Sequence, residues 1–504
     1  MTDQVPINEL NNKITRGLIW SLAENLGLQA MQFVISIILA RLLLPAQFGL
    51  IGMLSLFMAV AQSLLDSGFG SALIQKKDAD QVDACSAFYF NLAIGAFLIL
   101  LLWFSAPLIA HFYAQPLLTS LTRFLSLNIL INAFRLVPSA ILTKQMDFRV
   151  IFKISIIAVT VSGTVGVILA FKGFGVWSLA TQSVLETLLR TFLVWHASRW
   201  KPAWIFSLKS LKTMFAYGSR LLFSGLLDTI FNNVYQLFIG KVYTPVDLGY
   251  YVRAQSMETV AVQPTSSALG RVMFPAMVNI QDDKARMKQS YRKIMTIAVF
   301  FHFPLMIGLI VVAEPLITLL FTQRWAPSIP YFQLFCLAGL LWPLHVLNLN
   351  TLQVTGRSDL FFRLEVVKKG LVVLAIAVTY RLGITALLYG QIATSVVSYF
   401  LNCHYSGKLI DYSTTQQIRD TIPSLLMATG MGIIMYFTGR AIQPGLLKLL
   451  VQVVTGTAVY LALDYFFGRS VLTEVFNLIR NAIQVPKIIS SITNNIRIVI
   501  RRRI

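Results

Sequence analysis

Apolar residues fill the chain in long runs from Gly17 to Phe467, parted by short polar breaks. A bilayer core takes about 20 apolar residues per helix, and more when the helix tilts. No backbone polar group can stay unpaired in lipid, so each run reads as a membrane helix. The pattern predicts helices near 17–40, 48–66, 85–110, 118–142, 151–171, 174–195, 214–240, 248–277, 294–321, 330–354, 361–380, 383–405, 421–442 and 446–467. These fourteen crossings leave no room for a soluble domain, and the chain reads as an all-α integral membrane protein. A polar start before Lys13 and Arg16, and a first run without a small-residue cleavage site, read as an uncleaved first span.

The runs also repeat. Arg41-Leu-Leu-Leu-Pro45-Ala-Gln-Phe48-Gly49 follows the first span, and Lys241-Val-Tyr-Thr-Pro245-Val-Asp-Leu248-Gly249 follows the seventh at an offset of 200 residues. A basic residue, a proline, an apolar residue and a glycine recur in order at the same hinge. A looser echo joins Gly175-Val-Trp177 through Gln182 with Gly383-Ile-Thr385 through Gln391. Six spans per copy enter the membrane in one orientation, which makes a parallel repeat with its substrate site between lobes. The expected organisation is an N-lobe over residues 1–200, a C-lobe over 201–412, an accessory helix hairpin over 413–467 and a basic tail over 468–504.

Charge changes the picture in one respect. The chain of 504 residues is 56% hydrophobic and 12% charged, with net charge +21 and a mean hydropathy of +0.70. That excludes disorder and an ordinary globular enzyme. Of the 42 lysines and arginines, 29 fall on one set of connections and 8 on the other. Short cytoplasmic loops collect Lys and Arg, so both termini are expected in the cytoplasm, and the excess charge needs no nucleic acid to explain it. The tail, with Val475, Phe476 and Ile479 before Pro486, is expected on anionic inner-leaflet lipid at about 1 kcal/mol per basic residue.

Candidate chemistry sits inside the spans, where a charge costs about 2.5–3.5 kcal/mol and must face protein or water. The first span carries Glu24, Asn25, Gln29, Gln32 and Ser36; the seventh carries Arg220, Ser224, Asp228, Asn232 and Gln236, spaced by four on one face. The second and eighth spans add Gln62, Asp66, Arg253, Glu258, Gln263 and Arg271. The candidate substrate site is therefore Arg220, Arg253, Arg271, Asn232, Gln236, Glu24 and Gln32. Arginine meets phosphate oxygens in a planar fork, so this set suits an anionic substrate. Asp66, Asp228 and Glu258 are candidates for a coupling proton or sodium ion. Glu186 and Arg190, four apart with the acid first, read as a structural pair. Cys85, Cys336 and Cys403 are scattered, and His111, His196, His302, His345 and His404 show no ligand spacing. No catalytic residue, metal or cofactor is expected, and the absence of a glycine-rich phosphate loop argues against direct ATP drive.

Several segments resemble one family. They are Ala40-Arg41-Leu-Leu-Leu-Pro-Ala-Gln-Phe-Gly49, Ser67-Gly-Phe-Gly-Ser-Ala-Leu-Ile-Gln-Lys76, Arg271-Val-Met-Phe-Pro-Ala-Met-Val-Asn-Ile-Gln-Asp-Asp283, Arg324-Trp325 with Pro330, and Gly356-Arg357-Ser-Asp359. The chain resembles Wzx-type polysaccharide flippases of the multidrug/oligosaccharidyl-lipid/polysaccharide exporter superfamily, particularly the colanic-acid exporter branch. The resemblance implies alternating-access translocation of a polyprenyl-pyrophosphate-linked oligosaccharide for surface polysaccharide, with polysaccharide polymerases as partners. It also implies that the last two spans shelter the lipid tail. Two other readings stay open: a cation-coupled multidrug antiporter of the same superfamily, and a membrane glycosyltransferase or ligase.

Overall fold

The computed structural model describes residues 27–66, 68–76, 78–467 and 471, without the side chains of 216–221, 223, 224, 266, 268, 271, 272 and 275. The start of the first apolar run and nearly all of the basic tail lie outside the described residues. The described residues form helices α1 (Gly27–Leu42), α2 (Pro45–Asp66), α3 (Phe69–Gln75), α4 (Gln81–Tyr113), α5 (Leu117–Lys144), α6 (Phe148–Phe171), α7 (Val176–Ser198) and α8 (Leu208–Val242). They continue as α9 (Pro245–Val278), α10 (Lys284–Phe321), α11 (Ser328–Gly339), α12 (Trp342–Val354), α13 (Ser358–Thr379), α14 (Ile384–Leu409), α15 (Thr414–Arg440) and α16 (Leu446–Phe466), with no strand among them. The protein is an all-α membrane protein.

A helix stands at each of the fourteen predicted runs. Two details escape the hydropathy pattern. The short α3 follows α2, and the tenth run is broken into α11 and α12 at Leu340–Leu341, with Pro343 in the first turn of α12. Nine described helical segments are long and apolar enough to cross a membrane. Helices α7, α8, α9 and α13 have the length, at 23, 35, 34 and 22 residues, but carry too much polar surface. Those four carry Glu186 with Arg190, the Asp228–Gln236 stripe, Arg253 with Glu258, and Glu365 with Lys368. In a membrane protein, dilution of this kind marks helices that face water or one another rather than lipid.

The chain divides into two compact units. One runs to Ser256 and adds Leu320–Tyr331 and Ile376–Ala386; the other takes Met257–Leu319, Phe332–Ala375 and the chain from Leu387. In the first unit α4 packs on α5, α6 and α5 on α7, and α2 on α8. Small residues set these crossings, since lipid tails offer helices no hydrophobic drive to associate and close van der Waals approach must supply it. Gly95 lies so near α5 that a Cβ would stand 2.8 Å from the Ala133 methyl, beside buried Leu65, Leu98 and Ile129.

The repeated hinge forms the tightest crossing of this unit. A Cβ on Gly49 would fall 1.7 Å from the carbonyl oxygen of Pro245, and one on Gly249 would fall 2.0 Å from that of Pro45. Each copy of the motif thus supplies both the proline carbonyl and the glycine that receives it. The looser echo has a structural basis too. Gly175 (φ 59) and Gly383 (φ 104) both lie in the positive-φ region immediately before a helix, where a side chain would be strained.

In the second unit α15 and α16 form a hairpin. Gly456 abuts the Met435 sulfur and Gly432 abuts Ile307 of α10. The Tyr460 hydroxyl donates to the Phe300 carbonyl at 2.8 Å, and Lys448 pairs with Glu314 at 2.8 Å.

Candidate functional site

Polar side chains of the first unit gather on α2, α5, α7 and α8. A cavity of about 370 Å³ is lined by Phe48, Ile51, Gly52 and Ser55 of α2, by Leu179, Gln182, Ser183 and Glu186 of α7, by Gln236 of α8 and by Val252 of α9. Gln236 is fixed there from both sides. It accepts from the Ser55 hydroxyl and donates to the Gln255 side-chain oxygen at 2.8 Å. Glu186 holds Arg190 at 2.9 Å, with each side chain about a fifth exposed, at 22% and 23%.

A second chain of hydrogen bonds runs through the same unit. Arg135 donates to the Asn132 oxygen through Nε (3.1 Å) and an Nη (2.8 Å). Asn132 donates to Gln62 at 3.0 Å, and Gln62 donates to Asp66 at 2.9 Å. Asn128 reaches Ser183 of the cavity wall at 3.1 Å. Arg135 and Arg190 are near enough to act on one another electrostatically, with Asp66 and Glu186 offsetting them. Two arginines, two carboxylates and six amides so placed could bind an anionic, hydroxyl-rich ligand.

The sequence-predicted residues divide between several surroundings. Gln236 lines the cavity, and Asp66 ends the Arg135 chain. Gln32, Asp228 and Asn232 are exposed on α1 and α8, which for polar groups in a membrane helix means a wetted surface. Arg220 and Arg271 lie on α8 and α9, their side chains outside the described residues, and Glu24 lies outside them altogether. Glu258 belongs to the second unit, packed against the end of α11.

Arg253 is enclosed instead. It is 4% exposed, with its guanidinium 4.5 Å from the ring centre of Phe48, 4.9 Å from Phe321 and 5.2 Å from Trp325. It donates to the Ser36 hydroxyl. The box is pinned by the Trp325 indole N–H, which donates to the Ala40 carbonyl at 2.8 Å, and by Arg41 Nε, which donates to the Leu320 carbonyl at 2.7 Å. A desolvated cation over aromatic faces gains about 2 kcal/mol, which offsets part of the cost of burying a charge with no carboxylate beside it among the described residues.

Sequence reasoning passed over Arg135 as a site residue and read Glu186 with Arg190 as structural. Their spacing gave no warning, because the pair is local while the cavity is assembled from four helices. The weak apolarity of α7 was the available signal. Arg357 and Asp359 have a simple local role. Gly356 turns with φ 71 at the end of α12, and Arg357 grips the carboxylate through two contacts of 2.9 Å. That grip holds the Asp359 carboxyl down at about 2.

A family described as polysaccharide biosynthesis protein matches residues 38–330, more than half of the chain. The teichuronic acid biosynthesis protein TuaB of Bacillus subtilis (strain 168) is 27% identical over 463 residues, covering 90% of this chain and 95% of its own. The lipopolysaccharide biosynthesis protein WzxC of Escherichia coli (strain K12) is 26% identical over 448 residues, covering 84% and 89%. Among solved structures, the lipid II flippase MurJ in an inward closed conformation superposes with a TM-score of 0.76 at 14% identity, over 90% of this chain and 100% of that one. At that identity the likeness speaks for the fold alone.

Proposed function

The chain belongs to the family of polysaccharide biosynthesis proteins, and from that premise we propose that it is a flippase. Its cargo is an oligosaccharide repeat unit linked through pyrophosphate to a polyprenyl lipid, carried across the bacterial inner membrane for surface polysaccharide. The observation that carries this reading is the cavity of the first unit, where Ser55, Gln182, Ser183, Glu186 and Gln236 stand among apolar wall residues and Glu186 holds Arg190. Polar groups backed by an arginine suit a charged sugar head, while the lipid tail stays in hydrocarbon and needs no protein path. The names of TuaB and WzxC, a teichuronic acid and a lipopolysaccharide biosynthesis protein, support a role in surface polysaccharide.

In this proposal fourteen spans form two six-helix lobes and a hairpin, with both termini in the cytoplasm. Arg135 and Arg190 join Arg220 and Arg271 in meeting the pyrophosphate, and Arg253 becomes available only when its aromatic box opens. Gln32, Asn232, Gln236 and Glu24 contact sugar hydroxyls, and Asp66, Asp228 or Glu258 carries a coupling ion. No step makes or breaks a covalent bond. A polymerase acting on the delivered repeat unit would keep transport running outward.

The test is deletion of the gene followed by mass spectrometry of the extracted lipids. The expected result is a complete polyprenyl-pyrophosphate oligosaccharide accumulating as surface polysaccharide disappears. Unchanged intermediates and polysaccharide, in a genome without a second flippase, would overturn the proposal.

A further inference from the structure

The break in the tenth run lies within the second unit, where two ionisable side chains meet it. Gly339 ends α11, and a Cβ there would stand 2.6 Å from a carboxylate oxygen of Glu258. His302 of α10 is fully buried, and its Nε2 lies 3.1 Å from the Gly339 carbonyl oxygen. A carbonyl can only accept, so Nε2 must carry the hydrogen. In the neutral ring Nδ1 is then a bare acceptor, and Nδ1 is buried with no hydrogen-bond partner among the described residues. An unpaired lone pair at that depth is costly unless it has a use. Breaks in membrane helices free backbone carbonyls and often mark the sites of coupling ions.

We propose that Glu258 and His302, flanking Gly339, form a protonation site through which a proton gradient drives transport. One proton enters from the side to which the site is open, binds Glu258 or His302 Nδ1, and leaves to the other side after the conformational change. A metal cation is a poor fit, because sodium or calcium wants several oxygen ligands and the Gly339 carbonyl is already engaged by His302. No group of three or more His, Cys, Asp or Glu is placed to hold a metal ion among the described residues.

Other ionisable groups surround the pair. Cys336 of α11 is close enough to feel the Glu258 charge. Ser395 bridges the break, donating to the Ala338 carbonyl of α11 at 3.3 Å and meeting Nε2 of His345 on α12 at 3.2 Å, with Lys368 near that histidine. Tyr460 reaches α10 two residues before His302, at the Phe300 carbonyl, and Asp464 is close enough to act on Tyr460.

The site rests on the transport reading, so its test reads the proton apart from the cargo. The purified full-length protein is titrated with pH under infrared difference spectroscopy. A buried carboxylic-acid C=O band is expected, lost in Glu258→Gln and shifted in His302→Gln and Gly339→Ala. The His302→Gln change keeps a donor for the Gly339 carbonyl and removes only the base, so a structural role would leave the band where it is. A band that survives Glu258→Gln, or that His302→Gln fails to move, overturns the site. In cells, His302→Gln is expected to lose export while the protein stays at normal abundance. Normal export that remains sensitive to a protonophore would equally overturn it. Failure of the flippase reading would show instead as unchanged lipid intermediates in the deletion strain, with the band intact.

Discussion

At the scale of residues, Arg135 and Arg190 mark the point where burial and charge conflict. The Asn132 oxygen answers Arg135, and the Glu186 carboxylate answers Arg190. A hydrogen bond to a charged group contributes about 1.5–3 kcal/mol, so Arg135→Ala and Arg190→Ala are each expected to lower export by roughly tenfold or more. Membrane abundance, read by immunoblot, should hold. Parallel loss of abundance would make the network a packing device. Arg357 is the contrasting case. Its partner Asp359 has a depressed folded value of about 2, so whatever the pair contributes is complete above the unfolded carboxylate value of about 3.9. It is lost only as pH falls through about 2. Between pH 5 and 8, thermal unfolding of Asp359→Asn should therefore track the unaltered protein without a pH-dependent difference. A gap that opened inside that window would contradict the assignment.

At the scale of elements, the sequence spoke clearly where one helix decides its own fate. Apolar runs located every long helix, and the proline–glycine hinge was visible as a repeat. What stayed hidden depends on neighbours. Lys368 and Lys369 lie ten or more residues into α13 with side chains 14% and 12% exposed, beside Glu365. A loop census cannot see a pair that forms only once a helix packs. Similarly, the Pro45–Gly49 and Pro245–Gly249 motifs repeat in sequence, but only the fold shows that they touch each other. Overpacking such a contact costs about 1–3 kcal/mol, so Gly49→Leu or Gly249→Leu should force α2 and α9 apart. The three native cysteines are buried, leaving an added Gln236→Cys as a clean reporter. In spheroplasts, an impermeant maleimide should label it faster when either glycine is replaced. Equal rates would show that the crossing does not control access to the cavity.

At the scale of the whole molecule, the hairpin α15–α16 belongs with the helices it covers. Ile307, Phe300 and Glu314 of α10 all meet it. Truncation after residue 412 should therefore reduce the amount of protein in the membrane, measured by blotting of isolated membranes. Normal abundance with export alone lost would make the hairpin purely a cargo element. The crossing of the two hinges carries a different implication. A contact in which each side offers the same carbonyl and the same glycine is self-complementary, as in a two-fold symmetric dimer. The present chain thus makes, within a single polypeptide, a kind of contact that two-fold partners ordinarily make between separate chains.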